Sequence, residues 1–200
     1  MGSDFLMSEY FFRTMKPSQY QINLFKKLSP ILGTQPKVEL YGDETGDFSI
    51  RILSCPDPVD EKVLFYSTLG LSELASENNH TEILAASYVQ FKDFSNVLSS
   101  IAFFILKDKW KSVEGAVFQT LIEMYYPNIE MKHIYFTSPF LWEDKLEEFS
   151  INEVNINFLL AIPISNNELE YLTQYGKDAL EDLFEQKNID IFDIERESVL

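Results

Sequence analysis

Outside the carboxylates, few side chains in this sequence could do chemistry. Two histidines, His80 and His133, and one cysteine, Cys55, supply all the imidazole and thiol. None is near another in sequence, so no CxxC, HExxH or similar zinc spacing can be written. Cys55 precedes Pro56 with nothing beside it to lower a thiol pKa, and it reads as a small apolar residue at a strand end. His133 lies in a strand pattern and reads as a hydrogen-bonded structural residue; His80 closes the polar run Glu77-Asn78-Asn79-His80. No Gly-x-Ser-x-Gly elbow, Walker A loop or Gly-x-Gly-x-x-Gly turn occurs.

Carboxylates are plentiful, so their spacing decides. Asp43, Glu44 and Asp47 could ligate calcium, but the alternating Asp-x-Asp-x-Asp order with a closing Glu is missing. Turn chemistry explains Asp and Gly there equally well. Glu143, Asp144, Glu147 and Glu148 form a second group, for which a solvated helical turn or loop is the simpler account. Asn79-His80-Thr81 matches a glycosylation sequon, which has no meaning in a cytosolic protein. The residues point away from an enzyme, and they assign no metal, cofactor or catalytic group.

The elements that would position these groups follow from periodicity. Val154, Ile156, Phe158, Leu160 and Ile162 alternate on one face of a strand whose other face turns apolar, the mark of a strand covered on both sides. Pro163 should end its ladder. Ser165 and Glu168 form a capping box opening a helix that carries Leu169, Leu172, Gly176, Leu180 and Leu183 or Phe184. Earlier, Ser18 and Gln21 cap a helix with Ile22, Phe25 and Leu28 on one face, ending near Leu28 because of Pro30. Val38–Tyr41 and Asp47–Leu53 read as a hairpin around residues 42–46. Val63–Leu69, Thr81–Val89 and Met131–Thr137 read as further strands, 72–80 and 138–150 as connections, and Asp93–Trp110 as a deeply packed helix. Without repeats or a clear linker, one α+β domain over 18–200 is the simplest reading, behind a lead-in at 1–17. Met7 offers an alternative start, which would make 1–6 vector-derived.

With 46% hydrophobic and 14% aromatic residues, the chain has material for a proper core. A single cysteine fits a reducing compartment, no apolar run reaches the roughly 18 residues of a membrane span, and no secretory leader is evident. A cytoplasmic location is expected. The net charge of −16 argues against direct nucleic-acid binding, because cations must meet phosphates, and favours fast association with a basic partner. Residues 41–90 hold nine acidic and two basic side chains, and 141–200 hold fifteen and four, so two acidic blocks flank a neutral middle. A merely solvated acidic surface accounts for them as well.

Several pieces of the chain, in order, resemble bacterial suppressor-of-fused (SUFU-like) domain proteins. They are Val38-Glu39-Leu40-Tyr41, Tyr66–Ser72 with its Gly-Leu-Ser turn, Met131–Glu143, Asn157–Ser165 followed by Glu168-Leu169, and Asp190–Ile194 with Arg196 and Ser198-Val199. The resemblance covers about residues 20–200. It implies an α+β fold, a single SUFU-like domain with a mixed, largely antiparallel sheet packed with helices, and no catalysis. It is nearest to the antitoxin type of Gram-positive bacteria. That resemblance implies an immunity protein that neutralises a cognate toxin, a basic nuclease of the LXG type. The alternative is a non-catalytic interaction module regulating another partner.

The family pieces look like fold determinants rather than a binding map. The expected partner surface is therefore electrostatic: Asp43, Glu44 and Asp47 on the hairpin, Asp57, Asp60 and Glu61 after it, and Trp142, Glu143 and Asp144. Trp is common among interface hot spots, but Trp142 anchoring its loop to the core is an equal alternative.

Overall fold

The computed structural model describes residues 16–75 and 80–200, without the side chain of Glu143. The expected lead-in, save its last two residues, lies outside the described residues, as do Glu77, Asn78 and Asn79. The elements run α1 (Gln19–Leu32), β1 (Lys37–Gly42), β2 (Ser49–Pro56), β3 (Val63–Leu69), α2 (Leu71–Leu74), β4 (Thr81–Tyr88) and α3 (Phe94–Asp108). Then come β5 (Val117–Phe118), β6 (His133–Thr137), α4 (Glu143–Leu146), β7 (Ser150–Ile151), β8 (Val154–Asn155), β9 (Asn157–Ile164), α5 (Asn166–Tyr175) and α6 (Lys177–Lys187). Short 3-10 turns span Ile122–Met124 and Phe140–Trp142.

Seven strands form one sheet in the order β1-β2-β3-β4-β9-β6-β5. Every pairing in it is antiparallel except β4 with β9, so the expected mixed, largely antiparallel α+β fold is what the chain adopts. Both faces are covered. On one, α3 packs Phe94, Leu98 and Ile101 over Ile52, Ile83, Leu159 and Phe136. On the other, α1 and residues 142–151 cover Leu53, Phe65, Leu84, Phe158 and Leu160. Alternate residues of β4 and β9 enter opposite cores, which is why their sequences are apolar almost without interruption.

Five local readings need correction. The first helix continues through Pro30 to Leu32 and closes with Gly33 N–H donating to the Ser29 carbonyl at 3.1 Å. Pro30 lies on the exposed side of the last turn, where the carbonyl it leaves without a donor can be hydrated. The face it buries is Leu24, Leu28 and Leu32 rather than Ile22, Phe25 and Leu28. The stretch from Val154 splits at Ile156: β8 forms a hairpin with β7 through Asn152 and Glu153, both at positive φ, and β9 enters the main sheet. Ile156, Phe158, Leu160 and Ile162 still share one core.

Pro163 lies inside β9, beyond Ala161, where the ladder to β4 has ended and only β6 pairs with the strand. The last helix is two helices, because Gly176 at φ 88° and ψ 173° leaves the helical region and redirects the chain. The two predicted capping boxes, Ser18 with Gln21 and Ser165 with Glu168, are both formed.

Candidate functional site

The predicted acidic surface does not form one patch. Asp43, Glu44 and Asp47 occupy the β1–β2 turn, whereas Asp57, Asp60 and Glu61 occupy the turn after β2. These turns stand at opposite ends of an eight-residue strand, roughly 25 Å apart.

Within the first turn, Asp43 serves the fold. Its Oδ1 accepts from the Phe48 N–H at 2.9 Å, and its Oδ2 accepts from the Thr45 hydroxyl at 2.6 Å and Lys107 Nζ at 2.7 Å. The Lys107 ammonium, then the Thr45 hydroxyl, hold its carboxyl well below the usual range. With its side chain 2% exposed, Asp43 offers no free acceptor to a partner. Glu44 and Asp47 are exposed beside it.

In the second turn, Asp57 accepts from Val59 N–H at 2.7 Å and Asp60 from Lys62 N–H at 3.0 Å, the self-bonding that makes Asp a turn residue. Asp60 and Glu61 are exposed and Asp57 is half-buried. Trp142 is 5% exposed and meets Phe65 edge-on at 4.9 Å and 83°, so its ring anchors the connection to the core. Asp144 is exposed.

The other reactive types are also engaged. Burial pushes the Cys55 thiol up to about 11, which keeps it protonated and inert. His133 is buried, as the sequence suggested; its Nδ1 accepts from the Thr120 N–H at 2.9 Å, so Nε2 carries the proton and donates to Asn166 Oδ1 at 2.8 Å. Among the described residues no three His, Cys, Asp or Glu side chains converge as a metal-holding group. None of their helices is long and apolar enough to cross a membrane.

Three features escaped the sequence reading. Glu82 is fully buried and accepts from Thr68 Oγ1, Ser72 Oγ and the N–H groups of Gly70, Leu71 and Ser72. Burial raises its carboxyl to about 7, against the lowering effect of those donors. Glu168 and Arg196 form a buried ion pair tying the C-terminal residues to the start of α5. Lastly, a cleft of about 610 Å³ opens between β6, the 3-10 turn at Phe140 and α6, with Glu181 at its wall. Tyr135 and Thr137 on one face of β6 were legible by period two, but their meeting with α6 required the tertiary fold.

Comparison with known proteins bears on what such a molecule is. The family model described as "Suppressor of fused protein (SUFU)" matches residues 46–197. The chain is 44% identical over 174 residues to the immunity protein YqcF of Bacillus subtilis (strain 168), covering 84% of this chain and 91% of that one. Among solved structures it is similar to a SUFU homolog from Neisseria gonorrhoeae, with TM-score 0.71, 16% identity, and 90% and 97% of the two chains covered. Drosophila Suppressor of Fused gives TM-score 0.62 at 12% identity, with 92% of this chain superposing on 52% of that one. A chain of the Sufu–Fu complex gives 0.65 at 13% identity, with 92% and 93% covered. These distant structures share the fold, and the family match spans most of the chain: this protein belongs to the suppressor of fused (SUFU) family.

Proposed function

We propose that this chain is an immunity protein, an antitoxin that binds and neutralises a cognate toxin without catalysis. The observation that carries the reading is its likeness to the Bacillus subtilis immunity protein along nearly that protein's whole length. The finer part is that the toxin is a basic nuclease of the LXG type, met in the cytoplasm of a Gram-positive bacterium and blocked by steric and electrostatic occlusion. A net charge of −16 supports that part, since a nuclease that grips DNA presents cations and an acidic inhibitor reaches them quickly. Of the acids expected at the partner surface, Glu44, Asp47, Asp60, Glu61 and Asp144 are exposed and available for steering.

Co-expression with the toxin encoded beside the gene tests this. Growth should be restored by the wild-type chain, and failure to rescue overturns the reading. The second reading, a module that regulates another protein partner, is favoured by the fold it shares with a chain of the Sufu–Fu complex. An operon without any toxin gene would select it.

A further inference from the structure

The cleft beside α6 has a lining of one sign. Glu181, Glu185 and Asp190 contribute carboxylates, and among the described residues no Lys, Arg or His lines it. These acids are placed rather than scattered. Tyr135 and Thr137 hydroxyls both donate to Glu181 Oε1 at 2.6 Å, and Oε2 takes neither. Burial and the neighbouring Glu181 raise the Tyr135 phenol, so it remains a donor. Asp190 accepts from Tyr88 at 2.7 Å on Oδ2 and from Phe192 N–H at 3.0 Å on Oδ1.

Apart from Ser138 and Asn188 the remaining wall is apolar, with Ile162 and Phe184 inside and Phe140 at 48% exposure. Aromatic faces beside fixed carboxylates suit a planar guanidinium, which can stack and fork at once. The fold already uses that chemistry: Arg196 sits 5.5 Å from the Phe184 ring centroid while it forks onto Glu168.

We propose that this cleft receives an arginine side chain, with its flanking backbone, from a basic segment of the protein this chain neutralises. The proposal rests on the immunity reading for the partner's identity. The volume, about 610 Å³, lies in the range of ligand-sized clefts, roughly 300–1,000 Å³, and accommodates more than one side chain. A second copy is a poor occupant, because each copy carries −16 and would set acid against acid.

Titration of the isotope-labelled 200-residue chain with N-acetyl-arginine amide, followed by amide shifts, tests the cleft directly. Shifts should concentrate at residues 135–141 and 181–192 and vanish in the Glu181→Gln, Glu185→Gln double variant, in which glutamine still accepts from Tyr135 and Thr137. Shifts spread over the acidic surface, or unchanged in the double variant, overturn the proposal. So does spermidine binding more tightly than the arginine probe at the same residues, which would mark a polyamine site. Against the neighbouring toxin, Glu181→Gln with Glu185→Lys should weaken binding roughly ten- to a hundredfold at unchanged thermal midpoint, and full affinity overturns it. If the wild-type chain itself fails to protect, the immunity reading falls and the arginine titration still decides the cleft.

Discussion

Arg196 holds Glu168 with both ends of its guanidinium, Nη1 to Oε1 at 2.6 Å and Nη2 to Oε2 at 2.8 Å. The Glu168 carboxylate is fully buried, and it also accepts from Ser165 N–H at 3.0 Å and Val199 N–H at 3.2 Å. Arg196 Nη2 donates further to the carbonyl of Pro163 at 3.1 Å. One side chain near the end of the chain thus ties together the last strand, the N-terminus of α5 and the C-terminal residues. The same glutamate is the closing member of the Ser165 capping box.

Removing the arginine strands a buried charge. Arg196→Ala should cost about 3–5 kcal/mol in urea unfolding, the usual penalty for breaking a buried pair from one side. Arg196→Lys, unable to fork, should recover only part of it. Equal stability of all three chains would show that the pair is not needed.

Glu82 predicts a pH dependence of the opposite sign to ordinary acid denaturation. Its folded carboxyl stands near 7, above the ordinary value of 4.5, so the folded state holds a proton more tightly than the unfolded one. Its contribution is fully present below about pH 4.5 and is lost as pH rises through about 7, a span on the order of 3 kcal/mol. Glu82→Gln should flatten the stability profile between those values, measured by denaturant midpoints across pH. A profile unchanged by the substitution would refute it.

Asp43 acts in the other direction. Its carboxyl is depressed by Lys107, so its stabilisation is present above about pH 4 and is lost as pH falls through the lower folded value. Lys107→Ala should lift the Asp43 pKa in side-chain NMR titration while Phe48 and Thr45 still hold the turn.

Trp142 should behave as core. Trp142→Ala is expected to lose about 3–5 kcal/mol, with Trp142→Phe retaining much of it. Protection against the toxin should fall only in step with folded protein. Loss of protection by a fully stable Trp142→Phe chain would make the ring a contact instead.

Gly33 allows close approach of two backbones. A Cβ there would stand 2.3 Å from the Pro56 carbonyl oxygen, while Thr34 N–H donates to that same oxygen at 3.0 Å. Gly33→Ala should therefore lower the thermal midpoint by displacing the chain after α1 from the end of β2, which a midpoint scan reads directly.

The sequence by itself determined the elements whose signals are local. Period two exposed β6 and the β9 region, short apolar runs exposed β3 and β4, the spacing around Phe94 to Ile105 exposed α3, and Ser18 and Ser165 announced their helices. Capping and pleating depend on neighbours within a few residues, so they survive translation into one dimension. The same locality misled at Pro30 and Pro163, where burial and strand order decide whether an element stops, and at Gly176, whose backbone leaves the helical region in a stretch that reads as one helix.

Tertiary structure alone decided which charged groups are free. Asp43 looked like Glu44 in sequence, yet Lys107, sixty-four positions later, consumes it. Glu82 drew no reading of its own and Glu168 read only as the capping-box partner of Ser165, yet both are fully buried acceptors. Charge exposure depends on what the fold brings opposite each side chain, and contacts 10 to 64 residues apart, as for Glu82 and Asp43, leave no periodic trace. For that reason the placed acids of the cleft, Glu181 and Asp190, were invisible until β6 and α6 were seen together.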